Sequence, residues 1–109
     1  MTRKFVYTAP FRRSWGAMGL KDDDLYKLEE ALPEDPLVGD VIEATGGARK
    51  LRIQLNGHGK SGGGRVIYVD IFEKEHLYLL FAYPKNVQED LSSDQKKAIK
   101  KMVDAIKKE

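Results

Sequence analysis

The stretch from Arg49 to Tyr83, RKLRIQLNGHGKSGGGRVIYVDIFEKEHLYLLFAY, contains three segments with the patterns of β-strands. In Arg49–Asn56, leucine and isoleucine alternate with polar or cationic residues, which is the period of a half-buried strand. Arg65–Phe72 is rich in β-branched residues, and His76–Tyr83 is apolar on both faces, as in a strand that is covered on both sides. Three successive strands with short connections predict an antiparallel meander.

Helical patterns precede this meander. A short β-prone run, Lys4–Thr8, opens the chain. After Pro10, apolar residues at i, i+4 and i+7 predict a first helix that stops near Gly19. A second helix is expected to begin after Asp22 as its N-cap and to end at Pro33, so that the two helices form a hairpin.

A last helix follows the meander. Residues 92–95, SSDQ, resemble a capping box, and apolar residues then recur at helical spacing. The buried stripe is expected to consist of Ile99, Met102, Val103 and Ile106. The sequence therefore predicts an α+β fold with an N-terminal helical hairpin, a small antiparallel sheet and a C-terminal helix. A chain of 109 residues is too short for two independent cores, so we expect one domain spanning residues 1–109.

Composition narrows the class of protein. With 41% hydrophobic and 33% charged residues, the chain has the composition of an ordinary globular domain. The absence of cysteine excludes a disulfide framework and a thiolate nucleophile, and it fits a reducing, cytoplasmic location. No apolar run approaches the roughly 18 residues of a membrane span, and the N-terminus turns polar too early for a signal peptide, so we expect no membrane partner.

Charge is segregated along the chain although the net charge is only +2. Residues 21–43 carry nine acids and two lysines, whereas residues 46–65 carry five cations and no carboxylate. Those cations are Arg49, Lys50, Arg52, Lys60 and Arg65. We therefore expect one positive face that attracts a polyanion, most plausibly nucleic acid, with a glycine-rich loop that can approach phosphates closely. The alternative is that these side chains only keep the exposed face of a sheet in solution.

Other site classes find little support. His58 and His76 lack partners at metal-ligand spacing, and no GxSxG motif is present. The GKS of the glycine loop is not a phosphate-binding P-loop, because Gln54 stands where that motif needs glycine and a strand follows instead of a helix. We therefore expect neither a metal site nor a cofactor.

The motifs RKLR, GKSGG, RVIY and YPKN, in that order, resemble the signature of RelE/HigB-type toxins of bacterial type II toxin–antitoxin modules, in particular the HigB-like branch. The resemblance implies helices on one side of a small antiparallel sheet. It also implies an endoribonuclease that cuts messenger RNA in the ribosomal decoding site by attack of the 2′-OH, and a neutralising antitoxin, expected to be a helix-turn-helix protein.

The resemblance also implies site residues. Matching positions assign catalytic roles to Lys50, Arg52, Arg65 and Lys85 and an RNA-contacting role to Lys60. Beside these matches, we expect Arg49 of the basic stretch, His58 of the glycine loop and Tyr83, whose ring could stack on a base, to bind RNA as well. His58 stands where many relatives have arginine. Some relatives use a tyrosine after the last strand, and since VQEDL has none, that role is absent or is filled by Tyr83.

Two other functions remain open. ParE-like toxins share the fold but bind DNA gyrase and cleave no RNA. A gyrase binder has no need of the converging cations, which favours the nuclease. A non-catalytic RNA- or ribosome-binding protein is the third possibility, and the missing tyrosine is the feature in its favour.

Overall fold

The structure is a computed structural model that describes residues 3–32, 35–54 and 63–109. In these ranges the chain forms strands β1 to β5, helices α1 to α3 and one 3₁₀ turn at Phe72–Lys74. The strands are β1 (Lys4–Tyr7), β2 (Asp40–Val41), β3 (Arg49–Ile53), β4 (Gly64–Ile71) and β5 (His76–Pro84). The helices are α1 (Ala9–Ala17), α2 (Asp22–Ala31) and α3 (Ser93–Lys108). The expected α+β class is confirmed.

The strands form one sheet in the order β1-β5-β4-β3-β2. The meander of β3, β4 and β5 is antiparallel, as predicted. β1, however, pairs with β5 in parallel, from Lys4 opposite His76 to Tyr7 opposite Leu79, so the sheet is mixed and not purely antiparallel. The Thr8 hydroxyl strengthens this edge by donating a hydrogen bond to the Leu79 carbonyl at 2.8 Å.

Helices cover both faces of the sheet, so the expectation that they lie on one side is wrong. The hairpin of α1 and α2 packs on the face of β4 that carries Val66 and Tyr68. α3 packs through its buried stripe on the opposite face, which carries Ile67 and Val69. The physical reason lies in β4, whose residues are apolar on both sides and would expose one side to water if a single layer of helices covered the sheet.

The helix ends agree with the expectations except at one position. Ser92 and Gln95 form the predicted capping box, in which the Ser92 hydroxyl accepts from the Gln95 N–H at 3.1 Å and the Gln95 side chain accepts from the Ser92 N–H at 2.9 Å. Asp22, however, is the first residue of α2 and not its N-cap, which is Lys21. The Asp24 carboxylate accepts from the Lys21 N–H at 3.0 Å and so ties the N-cap residue to the first turn of α2. No helix of the described residues is long and apolar enough to cross a membrane.

Candidate active site

Two arginines lie directly opposite each other on neighbouring strands, Arg52 on β3 and Arg65 on β4. Residues paired in this way share a face of the sheet, with Cβ atoms about 5 Å apart, and like charges there destabilise the pairing. Arg65 is only 4% exposed, and its Nη1 donates to the carbonyl of Gly64 at 3.1 Å. No ion pair of either guanidinium is found in residues 3–32, 35–54 and 63–109. Two adjacent cations, one of them buried, suit a site that receives an anion.

Lys50 lies on the same face as Arg52, as the alternation in β3 predicts. Its ammonium nitrogen is 2.7 Å from Oδ1 of Asp90, in the segment between β5 and α3. The expected set of uncompensated cations is therefore wrong for Lys50. Local sequence could not reveal this ion pair because its members are 40 residues apart. The pair, together with nearby Lys96 and Arg65, lowers the pKa of Asp90 below its ordinary value, with the hydrogen bond from Lys50 as the largest cause.

A β-bulge in β5 brings Tyr83 to this face. The register shifts between Ile67, which pairs with Phe81, and Tyr68, which pairs with Leu79, so that β5 holds one extra residue. Strict alternation from Leu79 would place Tyr83 beside the helical hairpin. With the shift, Tyr83 pairs with Arg65, and Arg52, Arg65 and Tyr83 form one row across three strands.

Tyr83 is 2% exposed, so its ring offers no free face on which a base could stack. Its hydroxyl donates to the Glu89 carbonyl at 3.2 Å. Burial, aided by the negative charge of Asp90, raises the pKa of Tyr83 above its ordinary value, although Arg65 opposes the effect. Tyr83 therefore remains protonated at neutral pH, where it acts as a hydrogen-bond donor that fixes the segment after β5.

The other predicted site residues are placed differently. Lys85 is exposed just after β5, at the end of the sheet where Arg65 lies, because its N–H bonds to the Gly63 carbonyl at 3.2 Å. Arg49 lies on the opposite face, where its guanidinium donates to the carbonyls of Leu37 and Gly39 at 3.1 and 2.8 Å. The structure thus does not bring Arg49 together with the other cations. His58 and Lys60 lie outside the described residues.

A groove of about 410 Å³ adjoins the Lys50–Asp90 pair, between β2 and the start of α3. Its polar lining has both signs of charge: Asp40, Glu43, Lys50, Asp90 and Lys96. On the face that carries the arginine pair, the groove therefore has both positive and negative side chains, whereas the region of Arg52 and Arg65 is positively charged. A polyanion that binds here is directed toward the arginines, because the three carboxylates of the groove repel it.

Comparison with known proteins decides the family. A family profile described as the RelE toxin of the RelE/RelB toxin–antitoxin system matches residues 4–109, which is nearly the whole chain. The chain belongs to the RelE toxin family. The resemblance seen in the motifs is thereby confirmed at the level of the RelE-type toxin, while membership of the HigB-like branch stays a prediction.

Solved RelE structures have the same fold. A double mutant of the E. coli toxin RelE in the free state aligns with a TM-score of 0.57 at 18% identity, over 82% of this chain and 90% of that chain. The isolated E. coli RelE toxin aligns with a TM-score of 0.52 at 17% identity, over 93% and 99% of the two chains. A chain of the intact E. coli RelBE toxin–antitoxin complex gives a TM-score of 0.52 at 16% identity, over 74% and 94%. At such low identities these likenesses establish the fold of a RelE toxin and not the site residues.

Proposed function

We propose that this RelE-family protein is a ribosome-dependent endoribonuclease that cuts messenger RNA by attack of the 2′-OH on the adjacent phosphate. The observation that carries the proposal is the cross-strand pair of Arg52 and Arg65. Holding two guanidiniums side by side destabilises the sheet, and a scissile phosphate between them would relieve the repulsion. A protein that only binds gyrase has no use for this arrangement.

The reaction needs a proton acceptor, a proton donor and cations. The 2′-oxygen attacks phosphorus and loses its proton to a base, while the 5′-oxygen leaves and takes up a proton, giving a 2′,3′-cyclic phosphate. In our proposal Arg52 and Arg65 hold the phosphate and stabilise the additional charge of the phosphorane. Lys50 or Lys85 acts in proton transfer. Lys60 and His58 would contact RNA from the glycine loop.

The ribosome would align the reacting atoms of the messenger, which a row of cations cannot do alone. Cleavage by 2′-OH attack requires the nucleophile, phosphorus and leaving oxygen in line, and a decoding site that bends the messenger would hold this geometry. The protein would accordingly act on translating ribosomes in the cytoplasm. The E. coli RelE toxin has been solved in a complex with its antitoxin, and we propose a co-encoded antitoxin for this chain too, with a helix-turn-helix domain.

Induction in bacteria tests the function. Wild type, Arg65→Ala and the matched control Arg12→Ala are induced, growth is recorded and messenger 5′ ends are mapped. Arg12 is exposed on α1, on the side of the helical hairpin. We expect wild type and Arg12→Ala to arrest growth with new ends inside translated codons, and Arg65→Ala to do neither.

The same experiment separates the alternatives. Growth arrest without new messenger ends but with loss of DNA supercoiling would replace the proposal with gyrase binding. Arrest with neither change would point to a non-catalytic ribosome binder. Equal toxicity of Arg65→Ala and wild type, with cleavage intact, would remove Arg65 from the site while leaving the activity.

A further inference from the structure

The ion pair between Lys50 and Asp90 lies within the proposed site. The Lys50 side chain is 22% exposed and that of Asp90 is 70% exposed, so the pair sits at the surface and its 2.7 Å contact faces solvent on the aspartate side. Exposed pairs contribute little to the free energy of unfolding, because water screens the attraction and two side chains lose freedom. Global stability therefore does not explain why a carboxylate is placed beside cations that are to receive a phosphate.

The segment that carries Asp90 is fixed on both sides of it. Before it, the Tyr83 hydroxyl binds the Glu89 carbonyl at 3.2 Å. The Gln88 side chain donates to the Asp90 carbonyl at 3.0 Å and to the Gln95 side chain at 2.8 Å. After it, Leu91 is buried in the core under α3. The backbone of Asp90 is thus held in place, and its carboxylate is presented to Lys50.

We propose that Asp90 is a positioning residue that holds the Lys50 ammonium on the face shared with Arg52 and Arg65; the inference rests on the proposed ribonuclease function. A lysine side chain has four rotatable bonds, and a single charge-assisted hydrogen bond restricts the ammonium to one region. A group that takes part in proton transfer works only when it is placed to within a fraction of an ångström. Tyr83 contributes indirectly because its hydroxyl fixes the segment that presents Asp90.

The charges around Asp90 determine how its removal should change phosphate binding. Lys96 and Arg65 also act on Asp90, Asp40 lies opposite Lys50 on β2, and Glu43 lines the same groove. Asp90 repels a phosphate that approaches the arginines. Removing its charge therefore leaves binding of the ribosome-bound messenger unchanged or slightly tighter, while it slows the chemical step. A carboxylate that held Lys50 away from the substrate would give the opposite result, a faster reaction.

Single-turnover cleavage of messenger on programmed ribosomes tests the proposal. The variants are Asp90→Asn, Asp90→Glu and the control Glu89→Gln, which removes one negative charge from the same segment without touching Lys50. We expect Asp90→Asn to lower the maximal rate on the order of 10- to 100-fold without raising the half-saturating ribosome concentration. Asp90→Glu should recover part of the rate, and Glu89→Gln should match wild type. An unchanged or increased rate in Asp90→Asn would overturn the proposal.

A double-mutant cycle ties the effect to Lys50. In a Lys50→Ala background, Asp90→Asn should change the rate less than twofold, because there is no longer an ammonium to position. Equal losses in both backgrounds would contradict the proposal. If wild type itself does not cut, the proposed function fails, and the positioning claim is then decided by NMR of the Lys50 side chain. Its Cε order parameter should fall in Asp90→Asn and not in Glu89→Gln, and an equal value in all three proteins would refute the claim.

Discussion

Arg65→Met should make the protein more stable and less active. Arg65 is 4% exposed, and its Nη1 donates a hydrogen bond to the Gly64 carbonyl at 3.1 Å. Losing one hydrogen bond of a charged group costs about 1.5–3 kcal/mol. Against this stands the desolvation of a buried ion, which amounts to several kcal/mol even after relaxation, and the repulsion from Arg52 opposite. Methionine is unbranched and fills a similar space.

The net change is expected to be an increase of about 1–2 kcal/mol in the free energy of unfolding. For a domain of this size that corresponds to a rise of roughly 4–8 °C in the midpoint of thermal unfolding. The cleavage rate on programmed ribosomes should fall on the order of 10²- to 10³-fold, the usual effect of removing one group that stabilises developing charge. Urea denaturation and single-turnover cleavage, run on the same preparations, measure both quantities.

Arg12→Met is the matched control, since it removes the same charge from an exposed position on α1. Its Cζ lies 5.2 Å from the ring centroid of Tyr7, so a loss of about 0.5–1 kcal/mol is expected, with an unchanged cleavage rate. The reasoning about Arg65 is refuted if Arg65→Met unfolds at a lower urea concentration than wild type. In that case the buried guanidinium is a structural element of the sheet and not a group kept there for a phosphate.

Three further changes probe the surroundings of the site. Tyr83→Phe removes the hydrogen bond to the Glu89 carbonyl. In urea titrations it should lower the free energy of unfolding by about 1 kcal/mol, and it should slow cleavage severalfold. Unchanged values would show that this hydrogen bond does not fix the segment after β5. Gly39→Ala places a Cβ 2.8 Å from the Lys50 carbonyl oxygen and should lower the free energy of unfolding by about 1–3 kcal/mol. The control Gly16→Ala has open space around the new Cβ and should leave that free energy unchanged or raise it. Equal effects of the two substitutions would refute the steric argument. Burial raises the pKa of four tyrosines above the ordinary value, and these are Tyr7, Tyr68, Tyr78 and Tyr83. Because the unfolded chain then loses its phenol protons first, the free energy of unfolding should fall as the pH rises above about 10, with absorbance at 295 nm rising as circular dichroism is lost. Ionisation of these four tyrosines while the protein is still folded would contradict this expectation.

The strands and helices followed from periodicity because that signal is local. The alternation in Arg49–Ile53 placed Lys50 and Arg52 on one face, and the SSDQ box marked the start of α3. The covering of the sheet on both sides was already implicit in His76–Tyr83 of β5, which is apolar on both faces, although the family resemblance suggested one layer of helices. The site could be found from the sequence only as far as its members are neighbours in a strand or match a motif.

The missing parts depend on contacts between distant residues. Asp90 pairs with Lys50 although the two residues are 40 positions apart in the sequence, and composition does not predict such a pair. The bulge in β5 reverses the face of Tyr83, and it arises within an unbroken apolar run where the sequence gives no register. Arg49 follows the motif of the site, yet its guanidinium is taken by two carbonyls on the other face.

The most direct test of the proposed function uses purified protein, programmed ribosomes and two messengers that differ in one atom. One messenger has ribose at the nucleotide that supplies the attacking 2′-OH, and the other has 2′-deoxyribose there. We expect the first to be cut inside the codon in the decoding site, with a 2′,3′-cyclic phosphate on the upstream product, and the second to stay intact at that bond. Free messenger without ribosomes should be cut far more slowly. Equal cutting of both messengers, or no cutting of the first, would contradict the proposal that these cations serve 2′-OH attack on ribosome-bound messenger.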